Sequence, residues 1–148
     1  MFPTPCLGHP DMAFLTHRTV RFGECDPARI VYFSRYFEYA HEAYEDLLEA
    51  GQFPLKKVFH GDWGMPLVRA ESDFSMPSRL GDKLCLSVSV DRVGNRSIRY
   101  AVEVLGEDGK QRARLLLTHA CILQKTGKTC AVPGELLDAL RRAGALSD

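Results

Sequence analysis

From residue 33 to residue 48, apolar side chains recur at three- and four-residue steps (Phe33, Tyr36, Phe37, Ala40, Tyr44, Leu47 and Leu48), and Gly51 follows as a stop. This spacing predicts one long helix that begins near residues 32–34 and must bury one face. The rest of the chain offers mainly strands to cover it. Leu84, Leu86, Val88 and Val90 alternate with polar or small residues after a Gly81-Asp82 turn, and Ile98, Tyr100, Val102 and Val104 repeat the pattern. Asp108-Gly109 then turns the chain into a third run over residues 112–124, closed by Thr126-Gly127, so the three form an antiparallel meander. A first strand is expected over residues 17–22 and another over 65–76, bracketed by Pro66 and Pro77, with a loop at 52–64. Pro133 opens a short last helix with Leu136, Leu137 and Leu140 on one face. The expected fold is α+β, a curved antiparallel sheet wrapped around one long central helix.

With 148 residues, 45% of them hydrophobic, the chain suffices for a single domain with a substantial core. Residues 1–16 hold three prolines without the pattern of a secretion signal and read as an arm, leaving 17–148 as the domain. The 19 basic and 19 acidic side chains cancel, which argues against nucleic-acid binding, and no apolar run has membrane-spanning length. Cys6, Cys25, Cys85, Cys121 and Cys130 are odd in number and contain no C-x-x-C pair. That speaks against a disulfide framework or a zinc site, and for a reduced, cytoplasmic setting.

Asp26 lies several residues upstream of the helix, too far to be its cap, in a turn whose geometry Pro27 restricts. A carboxylate held there stands near the positive end of a helix dipole, where a reactive acid is useful; an ordinary turn residue is the plainer alternative. Nearby, Glu24 reads as a solvent-exposed strand-end acid and Cys25 as a small packed residue, since no base is placed to activate its thiol. His41 and Glu45 are four apart on the helix, too few ligands for a metal and better read as a surface or subunit-contact pair. His119 shares the apolar side of its strand with Leu115, Leu117 and Cys121 and reads as a core histidine.

The segment Phe22-Gly-Glu-Cys-Asp-Pro-Ala28, with Ile30-Val-Tyr-Phe33 and Tyr36-Phe37, resembles the active-site turn of the 4-hydroxybenzoyl-CoA thioesterase branch of the hotdog fold. Residues 66–74, Pro77, Gly81-Asp-Lys-Leu84, His41-Glu-Ala-Tyr-Glu45 and Thr118-His-Ala-Cys-Ile122 resemble most the 1,4-dihydroxy-2-naphthoyl-CoA thioesterases of that branch. The resemblance runs over residues 17–142 and implies a hydrolase without metal or other cofactor, the CoA being part of the substrate. It implies that Asp26 acts as nucleophile or general base while the Phe33 backbone amide polarises the thioester carbonyl. Tyr32, His41 and Trp63 are the implied contacts to substrate, with Phe59 and His60 in the same loop as Trp63, and Arg96 falls on a basic position that meets the CoA nucleotide. At two neighbouring basic positions this chain has Gly94 and Asn95, and Arg29 stands where the family turn commonly has glycine. Arg29 therefore either adopts a positive φ or gives the turn another shape. The resemblance further implies a homodimer or homotetramer with the active site between subunits, and an aromatic substrate from menaquinone biosynthesis. A short-chain aliphatic acyl-CoA thioesterase, a hotdog dehydratase and a non-catalytic acyl-CoA-binding scaffold are the alternatives. The dehydratase would want a histidine in the first turn of the helix, which is missing here.

Overall fold

In the computed structural model, which describes residues 12–148, the helical periodicity folds as α1 (Phe33–Ala50). Its inner face carries Tyr36, Tyr39, Ala40, Ala43, Tyr44, Leu47 and Leu48, all buried. Phe33, expected on that face, is 54% exposed because it stands at the helix start, where the sheet no longer covers it. Burying one leucine such as Leu47 contributes about 1.5–3 kcal/mol, so this face dominates the energetics of helix docking.

The covering layer is a five-stranded antiparallel sheet made of β1 (Phe14–Thr19), β3 (Leu67–Phe74), β4 (Lys83–Val93), β5 (Ser97–Leu105) and β6 (Gln111–Ala120). The strands lie in the order β1-β4-β5-β6-β3, with the meander at the centre. Register places Phe14 opposite Val88, Val88 opposite Val102, Val102 opposite Leu115 and Leu115 opposite Ser72. Val88, Val102 and Leu115 in that row are fully buried, as the period-2 pattern requires of a core-facing row. Bulges at Val90/Arg92 in β4 and Leu67/Arg69 in β3 bend the sheet.

Two short elements fill the stretch expected as loop, α2 (Leu55–Phe59) and β2 (Trp63–Gly64). The run expected as one strand to residue 124 breaks at Cys121, whose N–H bonds Arg96 O, and continues as β7 (Ile122–Leu123), which pairs with β2. β1 begins three residues inside the expected arm, because Phe14 to Thr19 pair along β4 and extend the sheet. Residues 1–11, Cys6 among them, lie outside the described residues.

α3 (Gly134–Arg142) closes the end of α1 with Leu136, Ala139 and Leu140. Gly51 stops α1 through close approach and not through a positive φ. Its φ is −80°, and a Cβ there would lie 2.4 Å from Ala139 O. The left-handed residue is the next one, Gln52, at φ 60°, and Arg142 donates from Nε and Nη2 to Gly51 O at 3.0 and 2.8 Å.

Cys25, Cys121 and Cys130 are free thiols, with Cys121 and Cys130 in sulfur contact at 3.0 Å. No helix among the described residues is long and apolar enough to cross a membrane.

Candidate active site

The loop between the strand end and α1 is closed on itself. A single turn of 3₁₀ helix (Phe22–Glu24) leads into Cys25, which bridges Val31 across the loop. Inside that bridge Asp26 N–H bonds Ile30 O at 2.9 Å and Arg29 N–H bonds Asp26 O at 2.8 Å. The tight closure requires a left-handed residue, and Arg29 supplies it at φ 66°, resolving the two alternatives in favour of the positive angle. Asp26 is thus held by its own backbone, and Ala28 N–H donates to its Oδ1 at 2.8 Å. Among the described residues its second carboxylate oxygen has no hydrogen-bond partner.

Glu24 is the anchor beneath this loop, and its placement corrects the expectation of a solvent-exposed acid. Its side chain is only 13% exposed, ion-paired to Arg18, and accepts from Tyr39 Oη at 3.0 Å and Arg21 N–H at 2.7 Å. The Arg18 guanidinium lies over the Tyr39 ring at 4.0 Å. Burial, reinforced by the Glu24 carboxylate, pushes the Tyr39 phenol well above its usual range and keeps it a donor. The reason is local: the 3₁₀ turn folds Glu24 back onto its own N-terminus and under α1, which a strand continuing to the surface would not do.

α1 starts without a side-chain cap. Tyr32, at the cap position, uses its backbone N–H on Glu24 O at 3.0 Å, and the amides of Phe33 and Ser34 have no acceptor among the described residues. Uncapped first-turn amides carry the positive end of the helix dipole and are ready donors to developing negative charge.

Asp26 and the start of α1 border one cavity of about 450 Å³. Ile30, Val31, Tyr32, Phe33 and Tyr36 line it from the loop and helix, and Phe74, Ser75, Met76 and Pro77 from the end of β3 and the segment after it. Four of these ten residues are aromatic. The Tyr32 and Phe33 rings lie 4.8 Å apart, and those of Tyr36 and Phe74 5.5 Å apart. Such a cleft suits a flat apolar group beside a few directed polar atoms.

Of the residues singled out in the sequence, Asp26, Tyr32 and Phe33 meet here, while His41, Trp63 and Arg96 do not line this cavity. His41 lies two turns along α1 with Nε2 3.2 Å from Glu45 Oε1. Trp63 stacks on Phe53 at 5.9 Å and packs against the core. Arg96 is in the β4–β5 turn, where its Nη1 donates to Thr129 Oγ1 at 3.2 Å. His119 is buried in the core: its Nδ1 is 2.8 Å from Met65 O and its ring stacks on Tyr44 at 4.8 Å, while Nε2 has no partner among the described residues. Burial holds its pKa below the usual histidine value. No group of three His, Cys, Asp or Glu side chains that could hold a metal occurs among the described residues.

Sequence reasoning missed Tyr36, Phe74 and Met76 as cavity walls. Tyr36 and Phe74 fell within the matching motif segments but were given no role beyond a core position of the helix and the end of a strand, and Met76 only the latter; their meeting depends on how β3 crosses the helix start.

The family model described as a thioesterase-like superfamily matches residues 20–140. A 1,4-dihydroxy-2-naphthoyl-CoA hydrolase of Nostoc punctiforme is 34% identical over 130 residues, covering 87% of each chain. Another of that name from Acaryochloris marina is 30% identical over 84% of this chain and 93% of its own. Among solved structures, a 1,4-dihydroxy-2-naphthoyl-CoA thioesterase from Synechocystis superposes with a TM-score of 0.83 at 28% identity, covering 87% of this chain and 96% of that one.

Proposed function

The chain belongs to the thioesterase-like superfamily, and from that premise we propose that it hydrolyses an aromatic acyl-CoA thioester, with 1,4-dihydroxy-2-naphthoyl-CoA of menaquinone biosynthesis as the favoured substrate and 4-hydroxybenzoyl-CoA as the related type. The observation that carries this reading is the shared cavity, in which an incompletely hydrogen-bonded carboxylate and the uncapped start of a helix border an aromatic cleft. A flat acyl ring packs among Tyr32, Phe33, Tyr36 and Phe74, and its thioester oxygen accepts from the Phe33 amide. As the carbonyl becomes tetrahedral its oxygen gains charge, and one well-placed donor at that point stabilises the transition state by about 3 kcal/mol.

Asp26 supplies the other half. It either attacks the carbonyl carbon, giving a mixed anhydride that water then cleaves, or takes a proton from a water that attacks directly. In both routes the C–S bond breaks, the thiolate leaves with CoA and takes up a proton, and water supplies the hydroxyl of the released acid. Neither route needs a metal or a further cofactor.

The protein is proposed to work as a homodimer or homotetramer in the cytoplasm. Among the described residues β3 is a sheet edge paired only to β6, with Leu67, Val68 and Phe74 exposed, an arrangement suited to a second copy. In such an assembly His41, Trp63 and Arg96 are available to the partner's cavity, with Arg96 the cation proposed to meet the nucleotide.

The test is release of free CoA thiol from a panel of aromatic and short aliphatic acyl-CoAs, comparing the parent with Asp26→Asn. Aromatic thioesters are expected to be cleaved fastest, with kcat falling by about 10²–10⁴-fold in the variant. Full activity in Asp26→Asn removes the catalytic assignment, and a parent that binds acyl-CoA without cleaving any thioester makes the protein a binding module. Preference for aliphatic chains moves it to the short-chain class.

A further inference from the structure

The two working parts of the cavity, the Asp26 loop and the first turn of α1, are both tied to Ser78, a residue with no place in the chemistry above. Ser78 follows the cavity wall residue Pro77 in the connection between β3 and β4 and is fully buried. Its backbone carbonyl accepts from Val31 N–H at 2.8 Å, and Val31 is the residue that closes the Asp26 loop by bridging Cys25. Its side chain reaches the opposite way, with Oγ accepting from Tyr36 Oη at 2.9 Å. Tyr36 lies one helical turn beyond Phe33, and its ring forms part of the cavity wall against Phe74.

Resting on the thioesterase reading, we propose that Tyr36 and Ser78 are positioning residues that fix the helix start against the Asp26 loop, so that the carboxylate and the Phe33 amide address the same carbonyl. The argument is one of degrees of freedom. Val31 holds the loop to Ser78 through the backbone, which no side-chain replacement removes. The helix is held to the same residue through the Tyr36 hydroxyl, which meets Ser78 Oγ at 2.9 Å and is also approached by the Ser78 backbone N–H, in a dry setting where such bonds are directional and cannot be replaced by water. Loss of that bond leaves the first turn tied to the loop on its Glu24 side, by Tyr32 N–H to Glu24 O and Tyr39 Oη to the Glu24 carboxylate, and lets it pivot on the aromatic contact with Phe74, while the inner face of α1 from Tyr39 to Leu48 keeps the helix docked. Small displacements between reacting groups cost rate far more than they cost binding.

The experiment is steady-state thiol release with the best substrate for the parent, Asp26→Asn, Tyr36→Phe, Ser78→Ala, the double variant and Ser78→Thr, each checked for an intact fold by thermal unfolding. Tyr36→Phe keeps the ring and removes only the hydroxyl. The expected result is a kcat lowered roughly ten- to hundredfold in Tyr36→Phe and Ser78→Ala with KM within about twofold. The double variant should be no worse than Tyr36→Phe alone, because that change already removes every contact of the hydroxyl with Ser78. Ser78→Thr, which keeps the hydroxyl, should recover more of kcat than Ser78→Ala. Tyr44→Phe, which removes another buried phenol away from the cavity, should leave kcat unchanged. An active parent that Asp26→Asn disables but Tyr36→Phe and Ser78→Ala do not overturns the positioning role alone. A rise in KM at constant kcat, or additive losses in the double variant, also overturns it, the first by limiting the Tyr36 hydroxyl to substrate binding. A parent inactive on every thioester overturns the underlying reading together with this one.

Discussion

Arg29 is the residue at which the shape of the Asp26 loop is most directly measurable. Its φ of 66° lies in the left-handed region, which costs a residue with a side chain about 1–2 kcal/mol. Glycine escapes that cost but gives up about 0.5–1 kcal/mol in chain entropy. At an ordinary helical or extended position the entropy decides, and alanine is more stable than glycine. Here the order reverses: Arg29→Gly should be more stable than Arg29→Ala by about 0.5–1 kcal/mol, since both variants lose the same exposed guanidinium and differ only in backbone freedom. For a domain of this size that is a difference of about 1–4 °C in Tm, measurable by calorimetry on the two variants in parallel and by urea midpoints at equal m-value. The Arg79 Nη1 contact to Arg29 O is made to backbone and survives both changes, so it does not enter the comparison. The kinetic counterpart is that Arg29→Ala, which keeps the side-chain constraint on φ, should retain the loop and report the effect of charge alone on kcat. If Arg29→Ala proves as stable as Arg29→Gly or more so, the residue is not left-handed in solution, and the closed loop that presents Asp26 is wrong.

Gly51→Ala tests the seat of α3. Its φ of −80° suits alanine, so entropy alone would stabilise the variant by about 0.4–1 kcal/mol, but the new Cβ would meet backbone at 2.4 Å from Ala139 O. A net destabilisation of about 1–3 kcal/mol in urea unfolding is expected, and an unchanged or raised midpoint refutes the close approach. His119 is held below its usual pKa of 6.5 by burial, so the unfolded chain takes up the proton first as pH falls. Its contribution is complete above about pH 6.5 and is lost on acidification from there toward the lower folded value; His119→Gln should show a smaller fall in urea midpoint than the parent between about pH 7.5 and 5.5, and equal falls would place the imidazole in water.

The core was legible because its signals are periodic. The three- and four-residue steps of α1 and the alternation along β4 and β5 each name their own buried face, and Val88, Val102 and Leu115 fall in one row as a consequence. Asp26 and Phe33 were legible through a local motif only seven residues apart. What stayed hidden is set by tertiary contact. Glu24 looks like any strand-end acid until the 3₁₀ turn places it beneath Tyr39 and beside Arg18. Gly51 reads as a helix stop by conformation, but its small size serves the approach of Ala139, nearly ninety residues away in sequence. Trp63 and His41 carry side chains that fit a binding role as well as a packing or surface one, and within one chain the fold gives them the second.

The closed loop explains how a short segment can hold a carboxylate and an uncapped helix amide in fixed relation without a rigid element between them. Asp26 and Phe33 are separated by a proline, a strained arginine and an exposed Ala28, a stretch that would wander if left to itself. It is pinched instead at Cys25 and Val31, tightened from inside by the Asp26–Ile30 and Arg29–Asp26 backbone bonds, and seated on Glu24, whose carbonyl takes the Tyr32 N–H while its carboxylate is held by Arg18 and Tyr39. Every one of these ties is made by backbone or by a side chain other than that of Asp26. The proposed catalytic carboxylate is therefore spared structural duty apart from its own Ala28 contact, and on that proposal its replacement by asparagine should remove chemistry while leaving the loop standing. That separation makes Asp26→Asn a clean probe of mechanism: a variant with parental Tm and no turnover assigns the loss to the missing charge, whereas a large fall in Tm would show that the carboxylate had been holding the loop together all along.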